Sequence, residues 1–271
     1  MKILLLTNDD GIDSEGLIKL AEVLRSKGIY RVFVIAPDAD RSGVSHGLSI
    51  MNDPVKLCSL GEDTWSCSGN PVDCVIAGVL GALPVRPDLV LSGINRGANL
   101  GTDLIFSGTA AAARQASLFH IPGIALSLHR LNDDDGNVYL WDMAASWAVD
   151  HLEELSSFWR EYAFVNVNIP NSPGGPQGIV TSWPAVKSYS DKLEVKAAPD
   201  GSLLCSLLPG KETTVKEPGS DCDVVSRNYV SVSSVVNLPA VLGDLCPGAP
   251  AHAALADRVA DRDAACGGRK V

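Results

Sequence analysis

Residues 2–11 read KILLLTNDDG, and the fold is decided by how this stretch is read. Ile3, Leu4, Leu5 and Leu6 form a short, continuously apolar run. Such a run suits a strand buried on both faces, as in a parallel sheet. It passes directly into Thr7, Asn8, Asp9, Asp10 and Gly11. Two adjacent carboxylates at the carboxyl end of a buried strand repel each other, and in a desolvated cleft they need a cation to stay ionised. The same residues also supply ordinary turn chemistry, and an Asp can cap a following helix. The neighbouring segments have to decide between these readings.

Outward from this stretch, residues 14–27 carry apolar side chains at Leu17, Leu20, Ala21, Val23 and Leu24, the spacing of an amphipathic helix, with Gly28 ending it. Residues 31–36, RVFVIA, predict a second strand stopped at Pro37. Together they make a βαβ unit with parallel strands and a right-handed crossover. Residues 48–67 predict short strands or a hairpin, and 71–82 a helix with Pro71 in its first turn. Residues 87–92, 121–128 and 164–169 predict further strands, and 106–118 an alanine-rich helix. The segment 129–163 is read as a charged turn around Asp133, Asp134 and Asp135, then a helix near 139–158. Short alternating stretches at 178–182, 193–198, 203–207 and 229–235 predict antiparallel hairpins projecting as an arm. The fold class is therefore α/β: a three-layer α/β/α, Rossmann-like core on a mainly parallel sheet, with a C-terminal β-hairpin extension. The divisions are 1–186 for the core, 187–239 for a hairpin extension serving oligomerisation, and 240–271 for an Ala/Gly/Pro-rich tail with a weak helix at 252–265.

Composition narrows the functional classes. The chain has 271 residues, 46% of them hydrophobic, enough to bury a large core. A net charge of −10 argues against coating nucleic acid or anionic membrane. No apolar run approaches the ~18 residues of a membrane helix, and Met1-Lys2 leads straight into the first strand. The seven cysteines are scattered without a CxxC pair, which predicts reduced thiols and a cytoplasmic protein.

Three polar loops follow three apolar strands: Asp9-Asp10, then a loop containing Ser42, then a Gly- and Asn-rich loop containing Asn95 and Asn99. If those strands are parallel neighbours, the loops meet at one sheet edge, where open α/β sheets bind ligands. Their donor atoms are all oxygen, a set that selects hard cations such as Mg²⁺, Mn²⁺ or Ca²⁺. Ser107-Gly108-Thr109 opens the alanine-rich helix, and such an N-terminus is a natural phosphate seat, though a plain Ser/Thr cap is the commoner event. The reaction class that follows is metal-assisted phosphoester hydrolysis. The P-loop, the G-x-G-x-x-G fingerprint and the G-x-S-x-G nucleophile elbow are all missing. An aspartyl-phosphate phosphatase would want Asp-x-Asp after its first strand, and here the aspartates are adjacent.

Several motifs occur together in one order: Asn8-Asp9-Asp10-Gly11, Ala36-Pro37 with Arg41-Ser42-Gly43, Gly69-Asn70-Pro71-Val72-Asp73-Cys74, Ser92-Gly93-Ile94-Asn95 with Gly97 and Asn99, and Ser107-Gly108-Thr109 followed by alanines. In these the chain resembles the SurE survival-protein family of metal-dependent nucleotidases, strongly over residues 1–128 and loosely over 164–236. The resemblance implies one divalent cation per subunit, Mg²⁺ or Mn²⁺, with Ca²⁺ able to stand in within crystals, held by Asp9, Asp10, Ser42 and Asn95. It implies a phosphate pocket lined by Asn99, Ser107, Gly108 and Thr109 with Asn8 in support, and Asp9, Asp10, Asn95 and Ser107 as the catalytic set. The implied reaction is hydrolysis of nucleoside 5′- and also 3′-monophosphates. The implied assembly is a cytoplasmic homodimer or homotetramer with exchanged hairpins, binding neither nucleic acid stably nor membrane. Alternatives are a non-catalytic metal- and nucleotide-binding sensor, or dominant action on polyphosphate. Ser233-Ser234-Val235 stands where the family has Thr-Pro-Leu, and 129–163 and the tail look private to this chain.

Overall fold

The computed structural model describes residues 1–130, 138–214 and 217–237. The aspartate run at 133–135 and the expected 252–265 helix lie outside these residues. Strand β1 (Lys2–Thr7) leads through helix α1 (Glu15–Ser26) to β2 (Tyr30–Pro37). The two strands pair in parallel, with Leu4 opposite Val32 and Leu6 opposite Val34. β3 (Leu57–Gly61) and β4 (Thr64–Cys67) form the expected antiparallel hairpin, and β4 also pairs in parallel with β2. Helix α2 (Pro71–Ala77), with a π-helical turn Gly78–Ala82 after it, returns the chain to β5 (Leu89–Arg96). Then follow α3 (Gly108–Leu118), β6 (Gly123–His129), α4 (Trp141–Asp150), α5 (Leu152–Ser157) and β7 (Ala163–Pro170).

β1 lies between β2 and β5, parallel to both. The chain winds outward from β1 to β2 and β4, then crosses back and winds the other way through β5, β6 and β7. The reversal falls between β1 and β5, so the ends of these two strands frame the crevice in which such sheets place ligands. Alternation along β1 fills both layers. Leu4 and Leu6 join the core beneath α1, α4 and α5, whereas Leu5 joins Phe33, Ile35, Cys74 and Val75 beneath α2. Ala110, Ala111, Ala112 and Ala113 are fully buried, so α3 lies close against the sheet. Gly123 makes this approach possible, because a Cβ there would sit 2.0 Å from the carbonyl oxygen of Ala113.

One expectation is corrected. Residues 229–235 do not belong to a projecting hairpin. β13 (Val230–Val236) joins the main sheet antiparallel to β7, and β8 (Ile179–Thr181) pairs with β13 in parallel at the sheet edge. The Val-Ser alternation suggests a strand with one wet face, yet Ser231 and Ser233 are buried and share the Ser182 hydroxyl at 2.7 and 3.0 Å. Hydrogen bonding thus allows both faces of β13 to be covered. The arm narrows to 187–214: β10 (Lys192–Ala197) with β11 (Leu203–Leu208), and β9 (Lys187–Tyr189) with β12 (Glu212–Thr214). The chain then returns through α6 (Asp221–Ser226).

Asp221 ties this return to the ligand edge. Its fully buried carboxylate accepts hydrogen bonds from the backbone N–H of Gly101 at 2.7 Å and of Ala185 at 2.9 Å. Replacing it with Ala leaves both donors buried and unpaired. Asp221→Ala should therefore destabilise the fold by about 2–4 kcal/mol, read as a lower urea midpoint at unchanged m-value. A midpoint equal to that of the parent protein would show that the clamp carries no weight.

Candidate active site

The site grows from the end of β1. Asp9 is 4% exposed and lies against the N-terminus of α3. Its carboxylate accepts the backbone N–H of Thr109 at 3.0 Å and, on its other oxygen, the Thr109 hydroxyl. A Cβ on Gly108 would come within 2.8 Å of the Asp9 Cβ, so only glycine lets the helix approach this closely. Burial pushes the Asp9 carboxyl above the usual carboxylate range, and the hydrogen bonds from Thr109 and Gly108 only partly offset this.

Asp10 is held from the end of β5. One of its oxygens accepts the backbone N–H of Arg96 at 3.0 Å, at the end of β5. Burial, reinforced by the charges of Asp9 and Asp40, raises its carboxyl to about 6 despite the Arg96 backbone bond. Asn95 sits beside Arg96 where the β5–β6 register shifts between Ser92 and Asn95. Its Nδ2 donates to the carbonyl of Gly97 at 3.0 Å, and its Oδ1 lies 3.4 Å from the Thr109 hydroxyl. Asp9, Thr109 and Asn95 therefore form one contiguous polar group.

The loop after β2 is pinned to this group, because the Arg41 backbone N–H donates to the Asp9 carbonyl at 2.7 Å. Gly11, with φ of +99°, makes room for it: a Cβ there would touch the Ala39 carbonyl carbon at 3.2 Å. Ser42 follows directly, and its hydroxyl donates to Asp40 at 2.6 Å. Asn8 is fully buried. Its Nδ2 donates to the Gly11 carbonyl at 2.9 Å and to the Ser14 hydroxyl at 2.6 Å, while its Oδ1 has no partner among the described residues. Ser107 caps α3, accepting from the Ala110 N–H at 3.0 Å. Much of the amide set that a helix N-terminus offers to anions is thus turned to Asp9 and Ser107.

Asn99 stands one layer back. Its backbone N–H donates to Asn168, its carbonyl accepts from Asn166 and Asn168, and its Nδ2 donates to Ser127 at 2.8 Å. These bonds fix the 97–101 loop rather than reach Asp9 or Asp10. Sequence reading missed Asp40 and Arg96 as neighbours of Asp10. Their signal was a position in the right loops, but contact across loops is not written in local spacing. Among the described residues no three His, Cys, Asp or Glu side chains gather as a metal cluster. A cation here would have to be held by two carboxylates completed with neutral oxygens.

Fold and site together define a doubly wound α/β protein with an acidic, oxygen-rich site at its topological switch point. Comparison with known proteins is specific. Residues 4–190 match the family model described as survival protein SurE. The 5′-nucleotidase SurE of Geotalea daltonii is 39% identical over 241 residues, covering 86% of this chain and 92% of that protein. That of Pelobacter propionicus is 37% identical, covering 85% and 91%. The crystal structure of the SurE protein from Aquifex aeolicus superposes with a TM-score of 0.73 at 33% identity, covering 87% of this chain and 94% of that one. The chain belongs to the survival protein SurE family.

The elevated Asp10 carboxyl has a consequence for stability. Its folded value, about 6, lies above the ordinary 3.8 of the unfolded chain. The folded state therefore gains from the bound proton below about pH 4 and loses that gain as pH rises through about 6. In metal-depleted protein, Asp10→Asn should raise the melting temperature by several degrees at about pH 8, with the difference vanishing below about pH 4. Equal shifts at both pH values would show that Asp10 is not held against its charge.

Proposed function

We propose that this protein is a divalent-metal-dependent phosphomonoesterase that hydrolyses nucleoside 5′-monophosphates, and also 3′-monophosphates, to nucleoside and phosphate. The observation that carries the reading is the pairing of Asp9 and Asp10. Both are raised chiefly by burial, and no described side-chain cation forms an ion pair with either of them. Adjacent carboxylates at such a cost are explained by a cation that binds between them. The donor set fits a hard ion: the carboxylates of Asp9 and Asp10, the Ser42 hydroxyl and the Asn95 amide oxygen. Asn8, which precedes the two aspartates in the chain, keeps a buried Oδ1 without a partner among the described residues. Mg²⁺ or Mn²⁺ is the ion expected. When bound, such an ion acts as a Lewis acid, polarising a phosphoryl oxygen and acidifying water.

The protein's own residues supply position and hydrogen bonds. Thr109 fixes Asp9 through both its backbone and its hydroxyl. Arg96 fixes Asp10 through its backbone N–H. The Ser107 oxygen accepts from Ala110, which leaves its proton free to donate to a phosphoryl oxygen beside Gly108 and Thr109. Asn99 shapes the wall of that pocket from its fixed loop. The relatives' name, 5′-nucleotidase SurE, agrees with this chemistry. No helix among the described residues is long and apolar enough to cross a membrane, and the described cysteines are all free, as in a cytoplasmic protein.

The test is phosphate release from AMP and GMP with added Mg²⁺ or Mn²⁺, with and without chelator. Activity should vanish with EDTA and return with the ion, and Asp9→Asn should cost on the order of 10²-fold or more in kcat/KM. Turnover untouched by chelator, or an Asp9→Asn variant as fast as the parent at saturating metal, would sink the assignment.

We also read the arm as an assembly surface. Leu193, Leu203, Leu204 and Leu207 are each at least 59% exposed on a two-stranded ribbon. Apolar area this large on a short hairpin marks a partner surface, and the family resemblance makes that partner a second copy. Leu203→Glu with Leu207→Glu should shift the protein to monomer in size-exclusion light scattering. An unchanged mass would place the interface elsewhere.

A further inference from the structure

Asp10 is shared between the acidic site and a second feature. A cleft of about 430 Å³ opens on its outer side, between the start of α1, the loop after β2 and the end of β5. That size lies within the range of small-molecule sites. The guanidinium of Arg96 lines the cleft and lies 5.5 Å above the Tyr139 ring. Tyr139 stacks in turn on Trp141, with centroids 4.9 Å apart and planes 13° from parallel. The Trp141 indole N–H donates to Glu15 at 2.6 Å, anchoring the stack to α1. Arg96 itself makes no ion pair with any described residue. The guanidinium is thus braced by an aromatic pair at the edge of the cleft. The Arg96 charge also eases Asp10 somewhat, but its contact with Asp10 is through the backbone N–H, which leaves the guanidinium for the cleft.

We propose that this cleft is the nucleoside subsite and that the Arg96 side chain is its base-contacting residue. The inference rests on the nucleotidase reading and deepens it. Asp9 faces α3 and the phosphate seat, whereas Asp10 faces the cleft. A nucleotide whose phosphate lies at Ser107 would therefore pass over the acid pair and bring its sugar and base into the cleft. A planar guanidinium stacks on any base, and on purines over the larger area. The remaining wall is acidic, with Asp13, Glu15, Asp38 and Asp40 beside Asp10. A neutral nucleoside suits such a wall, and a second phosphate does not. The subsite thus favours monophosphates of purine nucleosides over diphosphates and polyphosphate.

The subsite can be tested without turnover. Adenosine is titrated into the full-length protein and followed by intrinsic tryptophan fluorescence and calorimetry. Arg96→Ala retains the backbone N–H to Asp10, and Arg96→Lys retains the charge without the plane. Both should weaken adenosine binding, Arg96→Ala by about tenfold, and Tyr139→Ala should weaken it by removing the brace. In the hydrolysis assay the ratio of kcat/KM for AMP to that for p-nitrophenyl phosphate should fall by a similar factor in Arg96→Ala. Adenosine binding that is absent in the parent protein, or equal in parent and Arg96→Ala, overturns the proposal even if AMP is hydrolysed. Arg96-dependent binding of adenosine without release of phosphate from AMP supports the subsite and defeats the nucleotidase reading instead.

Discussion

The structure depends most on the contact between Asp9 and the N-terminus of α3. A buried carboxylate needs donors, and the Thr109 backbone and hydroxyl supply them. That requirement fixes where α3 begins and how it lies. The helix can come so near because Gly108 carries no side chain and because its next residues are small and buried. The same approach brings the Thr109 hydroxyl within 3.4 Å of Asn95, so β1, β5 and α3 meet at a single polar point. Removing the carboxylate would leave the Thr109 amide and hydroxyl without the acceptor that holds the helix end in place.

A second network holds the ligand edge in shape from behind. Asn166 and Asn168 on β7 hold the backbone of Asn99, and Asp221 holds that of Gly101. All three side chains are fully buried. Buried polar groups of this kind are costly unless paired, and the pairs made here hold the loop backbone in place, although the Asn166 Oδ1 itself has no partner among the described residues. The Gly-rich loop after β5 owes its definition to strands that lie far from it in sequence. The return of β13 to the main sheet serves the same end, since it brings α6, and hence Asp221, beneath that loop.

The strands themselves, the burial of the first on two faces and, given a parallel sheet, the meeting of three loops at one edge are legible in short stretches. Residues 3–6 announced a two-faced strand, and the polar runs at Asp9-Asp10, Ser42 and Asn95 announced one edge. These are local signals, and the parallel sheet converts them into neighbourhood. What the sequence hid is whatever depends on distant partners. The Arg96 side chain acquires its setting from Tyr139, which lies far from it in sequence. Asp221 matters only because Gly101 and Ala185 arrive beside it. Residues 230–236 read as a hairpin strand because alternation is local, whereas their pairing with β7 in the main sheet depends on a partner far away in the chain.

The adjacency of the two aspartates explains why one site can have two sides. Both lie just past the end of β1 at Thr7, in the turn that leaves the sheet edge, so their directions are set by their hydrogen-bond partners rather than by strand alternation. The pair divides: one carboxylate reaches α3, and the other reaches the end of β5 and the cleft against α1. The cost is high: burial first, and then the charges of Asp9 and Asp40, raise the Asp10 carboxyl to about 6. The adjacent arrangement thus gives a pair of acids that borders the N-terminus of α3 and the cleft at once.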